Sequence, residues 1–147
     1  MELRFSDYVG TGINHDREEF RGEAKVEMLP GTTKFIRYIA TRISDGKKLH
    51  EEVGLLTKSE AGDLVFHVHM EEMPCVTVHT LKESTESRWI FEYQGSGNIT
   101  GFSSELVFEF EGDNFKYLHR WAMGGEVRDK SWCFMEPINK KLHATSA

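Results

Sequence analysis

Residues 20–28 alternate strictly, with Phe20, Gly22, Ala24, Val26 and Met28 on one parity and Arg21, Glu23, Lys25 and Glu27 on the other. A period of two is that of a strand with one face buried. The pattern recurs along the chain. KFIRYIATRI (34–43) is rich in β-branched and aromatic residues. LHEEVGLLT (49–57), LVFHVHM (64–70), CVTVHTL (75–81), RWIFEYQ (88–94), ELVFEFE (105–111), FKYLHRWAM (115–123) and VRDKSWCFM (127–135) follow. The opening stretch adds another strand. Turn sequences separate them: LPGTT (29–33), SDGKK (44–48), KSEAGD (58–63), QGSGNITG (94–101), EGDN (111–114) and Gly124-Gly125. No window of helical length sustains a 3.6-residue period. The best helix candidates are the first eight or so residues and HDREEF (15–20).

Turn signals recurring every ~8–12 residues point to an all-β sandwich or barrel. Sequential hairpins fold most simply into a meander, and closing the meander removes the edges that invite aggregation. The expected fold is therefore all-β: a single up-and-down antiparallel β-barrel of about ten strands. A sandwich would usually need longer crossovers. No Pro- or Ser-rich linker divides the chain, so residues 1–147 are expected to form one domain, with a polar, flexible tail over 137–147.

Assigning the more apolar parity of each strand to the interior gives the expected lining. From 34–43 it takes Phe35, Arg37 and Ile39, and from 49–57 it takes Leu49, Glu51, Val53 and Leu55. From 115–123 it takes Phe115, Tyr117, His119 and Trp121. One bulge flips a strand's assignment from that point on. A barrel of about eight to ten strands can hold one small ligand, and apolar walls with a few polar groups suit such a site. The expected ligand-binding residues are His119, Tyr117, Trp121, Arg37, Phe91, Tyr93, Phe66 and Phe108. The alternative is a filled barrel with a structural role. There Arg37 would pair with Glu51, and His119 with a carboxylate such as Glu51 or Asp129.

The chain has seven histidines. His67 and His69 form an HxH on one strand face, outward by parity, with Glu71 beside them. His79 would join them if it faced the same way, and such a set suits zinc or iron. HxH also arises by chance on polar strand faces, so these three stay candidates and no metal is assigned. His50 lies in LHEE on a strand, not in HExxH on a helix. His119 sits in an aromatic face, where burial disfavours its charged form. A neutral imidazole there can be a ligand, a general base of a hydratase- or isomerase-type enzyme, or an inert hydrogen-bonding group. VGTG (9–12) lacks the third glycine of a dinucleotide fingerprint. No nucleophile elbow or P-loop is present, and no catalytic residue is assigned.

Composition narrows the partners. A net charge of −6 and a pI near 5.6 argue against nucleic acid, because phosphate binding needs a basic surface. No stretch approaches the roughly 20 apolar residues of a membrane-spanning helix, and MELRFSDYVG does not read as a signal peptide. Cys75 and Cys133 form no CxxC. They are expected to be reduced thiols in a cytoplasmic protein, a monomer or homodimer. Aromatics at 12%, with ten Phe, call for a dense core or an apolar cavity.

A GxG segment (Gly10, Gly12) leads into these strands, and Tyr38 to Leu56 read Y-x-x-T-R-x-x-D-G-x-x-L-H-E-E-x-G-x-L. This pattern resembles the calycin group, which includes lipocalins and fatty-acid-binding proteins, and is most similar to nitrobindin-like barrels. The resemblance implies a lipocalin-like barrel whose pocket takes a small apolar or amphipathic molecule. In nitrobindins that molecule is haem, held by a histidine near the C-terminal strand. Here His119 or His143 would be the axial ligand of such a haem protein. His143 matches by order along the chain, in KKLHATSA, a segment without strand pattern. His119 faces inward but lies off the family's motif. The lipocalin-type N-terminal tryptophan and the helical lid of fatty-acid-binding proteins are both absent.

Overall fold

Phe20, Gly22, Ala24 and Val26 do share a buried face, and the sheet they belong to closes on itself. The structure is a computed structural model that describes residues 2–4 and 6–138. Its strands are β1 (Asp7–Ile13), β2 (Glu19–Met28), β3 (Lys34–Arg42), β4 (Lys48–Lys58), β5 (Leu64–Met70), β6 (Thr77–Ser84), β7 (Arg88–Gln94), β8 (Phe102–Glu111), β9 (Asn114–Met123) and β10 (Arg128–Pro137). Each pairs antiparallel with the next in sequence, and β1 pairs with β10 to close an up-and-down barrel. The stretches weighed as helices are β1 with its lead-in, and the turn into β2. β10 runs to Pro137, the first residue of the expected tail. Residues 139–147, and His143 with them, lie outside the described residues.

The GxG segment closes the barrel. A β-carbon on Gly10 would stand 1.5 Å from the carbonyl oxygen of Phe134 on β10. Only glycine permits that approach of two backbones. The motif therefore marks a seam between strands.

One end of the barrel is packed solid. Phe66, Phe91 and Phe108 are almost wholly buried, and their rings meet edge-on or tilted at centroid distances of 5.7–6.1 Å. Trp89 packs edge-on against Phe110 at 4.8 Å. Each such side chain contributes about 1.5–3 kcal/mol by burial. Leu3 is buried in the same core, and Lys34 Nζ donates to the Leu3 carbonyl at 3.0 Å. The void left beside Leu3, Phe66, Phe108 and Phe115 is about 10 Å³, room for no more than one water.

Two strands face opposite to the parity expected from sequence. On β3 the buried set is Ile36, Tyr38 and Ala40, and Arg37 is exposed. On β4 it is Glu52, Gly54 and Leu56. Arg37 does pair with Glu51, at 3.0 Å, but on the outer surface. A bulge between Ala40 and Thr41 pairs Ala40 with His50 and Thr41 with Lys48, so Leu49 is the extra residue. Leu49 and its neighbour His50 consequently both reach the lumen. Met28, expected inside, is 65% exposed at the end of β2.

Candidate functional site

The other end of the barrel is hollow. A cavity of about 430 Å³ opens among the loops that join β1 to β2, β5 to β6 and β9 to β10. Phe20, Leu49, Met70, Phe102 and Trp121 give it apolar walls. Asn14, His15, Glu72 and Met73 stand at the loop end, where the His15 ring meets Trp121 edge-on. Tyr38 lines both this cavity and the small void of the packed end. The boundary between the two halves therefore lies at Tyr38 and the cluster beside it.

That cluster is centred on Glu52, only 3% exposed. Its Oε1 accepts from His119 Nε2 at 2.7 Å and from His50 Nε2 at 2.8 Å. Its Oε2 accepts from the Tyr117 hydroxyl at 2.6 Å. His50 Nδ1 donates in turn to Glu72 Oε1 at 2.8 Å. The Tyr38 ring packs edge-on to Tyr117 at 5.2 Å and lies 6.0 Å from the His119 ring. β4 and β9, which lie across the lumen from each other, thus meet at one carboxylate, and Tyr38 of β3, the neighbour of β4, packs against the rings around it.

The electrostatics follow from these bonds. Burial alone would raise the Glu52 carboxyl, but the charges and hydrogen bonds of His119 and His50 hold it well below the usual carboxylate range. Burial alone would discharge His50, but its bonds to Glu52 and Glu72 outweigh that and push it up to about 10. With a carboxylate on each ring nitrogen, His50 is an imidazolium. Burial, then the charge of Glu52, raises Tyr117 well above its ordinary value, so its hydroxyl stays a donor. His119 gives its Nε2 to Glu52, and its other ring nitrogen has no hydrogen-bond partner among the described residues. His119 is also part of the cavity wall.

A further histidine, His79, faces inward with 1% exposure. Its Nε2 lies 3.2 Å from Ser104 Oγ, a cavity residue, and its ring lies over Tyr93 at 5.5 Å. Burial pushes it down to about 4, so it is neutral.

The expected site residues divide into groups. His119 and Trp121 line the cavity. Phe66, Phe91, Phe108 and Tyr117 face inward but belong to the packed core. Tyr93 faces inward beside His79. Arg37 points to solvent and takes no part. The HxH set does not assemble, because His67 stands opposite Val78 and His79 opposite Phe66, which puts His79 on the other face. The partner of His119 is Glu52, while Asp129 pairs with Arg120. His50, Glu52 and Tyr38 escaped the parity rule, which sends charged residues outward. The HxE spacing of His50 and Glu52 beside a bulge was the available signal.

No protein-family model matches the chain, and no curated protein matches it either. Among solved structures it is similar to the crystal structure of Rv2717c from M. tuberculosis. The TM-score is 0.67 at 16% sequence identity, over 90% of this chain and 91% of that one. At that identity the likeness is one of fold.

Proposed function

We propose that this protein is a calycin-like barrel that binds one small amphipathic molecule at its hollow end. The cavity of about 430 Å³ carries the reading. Small-molecule sites usually run to about 300–1,000 Å³, with apolar walls and few, well-placed polar groups. The apolar part of the ligand would lie against Leu49, Met70, Phe102 and Trp121. Its polar end would meet Tyr38, His50 and His119. Glu52 and Glu72 bring two carboxylates to the cluster, and the second ring nitrogen of His119 has no hydrogen-bond partner among the described residues. A hydroxyl or amine head group suits it better than a carboxylate. Outward positions of β2 are charged throughout Glu19 to Glu27, which suits a barrel in water. Among the described residues no helix is long and apolar enough to cross a membrane.

The haem reading has no observation of its own in its favour. The Nε2 of His119, the usual iron-ligating atom, is held by Glu52 with His50 on the same oxygen. His143 lies outside the described residues. The test of the binding reading is native mass spectrometry of the purified chain, followed by a thermal-shift screen of amphipathic alcohols and amines. A ligand at ~100-fold its Kd should stabilise the chain by about 2.7 kcal/mol. No bound species and no stabilising compound would sink it.

A further inference from the structure

His50 Nε2, His119 Nε2 and Glu52 Oε1 all lie within 4.8 Å of one another, with the two nitrogens at 2.8 and 2.7 Å from the oxygen. We propose that these three atoms form a binding site for one divalent transition-metal ion of the zinc class. It goes beyond the small-molecule reading and does not depend on it.

The donor set carries the proposal. Two imidazoles and one carboxylate are a known zinc set, with bonds of about 2.0–2.2 Å that leave neighbouring donors roughly 3.3 Å apart. Each nitrogen needs to move about half an ångström away from the shared oxygen, and the two nitrogens, within 4.8 Å of each other, to settle at about 3.3 Å. The ion would take the place of the protons on His50 Nε2 and His119 Nε2, which leave to solvent as it binds. The surroundings match as well. Histidine ligands of a metal almost always give their second N–H to a carboxylate, carbonyl or water. His50 Nδ1 already does so, to Glu72 at 2.8 Å. The second oxygen of Glu52 is fixed by Tyr117 at 2.6 Å. The donors come from β4 and β9, on opposite sides of a closed barrel, so the scaffold sets their positions. His50 and His119 border the cavity, so a remaining coordination position would face it. Three protein ligands with one open position is the arrangement of zinc sites that bind a further molecule.

The test uses the full chain after chelator treatment, titrated with Co²⁺ and Zn²⁺. One ion per chain should bind, with the visible absorption of low-coordinate Co²⁺. His50→Gln and His119→Gln, which keep side-chain volume, should each weaken binding at least ~10-fold, while removal of a supporting partner in Tyr117→Phe should have a smaller effect. Replacing the outward pair, His67→Ala with His69→Ala, should change nothing. Should a variant misfold, pulsed EPR of the Cu²⁺-loaded wild type decides: two coordinated imidazoles support the site. One or none overturns it, as does absence of stoichiometric binding or a loss that follows His67 and His69. An amphipathic fluorescent probe added to the chelator-treated chain reads the cavity separately. Probe uptake without metal binding sinks the metal site alone, and metal binding without uptake supports it while sinking the small-molecule reading.

Discussion

His119 and Glu52 are 67 positions apart in the chain, yet their side chains meet at 2.7 Å inside the barrel. β9 and β4, which carry them, are not neighbours in the sheet. The bond crosses the lumen and divides a filled half from a hollow one. Because Glu52 is buried, its partners have no water to turn to when it is changed. Glu52→Gln should cost about 3 kcal/mol, the scale for breaking a buried ion pair from one side. Urea unfolding of the two proteins measures it. A loss below about 1 kcal/mol would mean that the cluster is solvated.

Stability should also depend on His79. Its folded value is near 4 and its ordinary value 6.5, because burial penalises its charge. The folded state therefore prefers it neutral. Its contribution is fully present above pH 6.5 and is lost as the pH falls from there towards 4. The shift corresponds to about 3 kcal/mol. Unfolding measured across that window should fall more steeply for the wild type than for His79→Gln. Parallel curves would contradict a buried, neutral His79.

The barrel was legible in the sequence because alternation, turn chemistry and the avoidance of open edges agree on it. The site was legible only in part. His119 and Trp121 stand on β9, where the aromatic residues Phe115, Tyr117 and Trp121 share one parity, and their inward face follows from it although Leu118 on the other parity is buried too. β3 has apolar residues on both faces, Phe35 and Ile39 on one and Ile36, Tyr38 and Ala40 on the other, so hydrophobicity cannot choose between them. On β4 the inward set includes Glu52 and Gly54, and a rule that sends apolar residues inside must invert it. Gly54 is there because Phe66 fills its place: a β-carbon would meet that ring at 2.2 Å. Glu52 is there because His50, two residues away on the same strand, and His119 and Tyr117 on β9 satisfy it. Only the HxE spacing of His50 and Glu52 is local; the partners on β9 leave no trace near Glu52 in the sequence.

Arg37 gives a control for the corrected face. Its side chain is 49% exposed and its bond to Glu51 lies on the surface. Arg37→Ala should change stability by no more than about 1 kcal/mol. It should leave probe binding unchanged. A clear loss of binding would return Arg37 to the interior.

The seam between β1 and β10 should tolerate no side chain at Gly10. Gly10→Ala puts a methyl group against the Phe134 carbonyl, backbone against backbone, where neither can yield cheaply. The expected loss exceeds the ~0.5–1 kcal/mol by which alanine would otherwise be favoured in a regular element. Thermal unfolding checks it, and an unchanged midpoint would show that the seam is looser than described.

The hollow end is tested most directly at Ala40, buried on β3 and part of the cavity wall. Ala40→Phe would fill much of the space; Ala40 stands opposite His50 on β4, so retention of the folded cluster is checked by thermal unfolding of the same variant. Titration with an amphipathic fluorescent probe should show one molecule bound per wild-type chain, and binding weakened at least ~10-fold, or about 1.4 kcal/mol, in Ala40→Phe. Equal binding by the two proteins, or none by either, would contradict a ligand site inside the barrel.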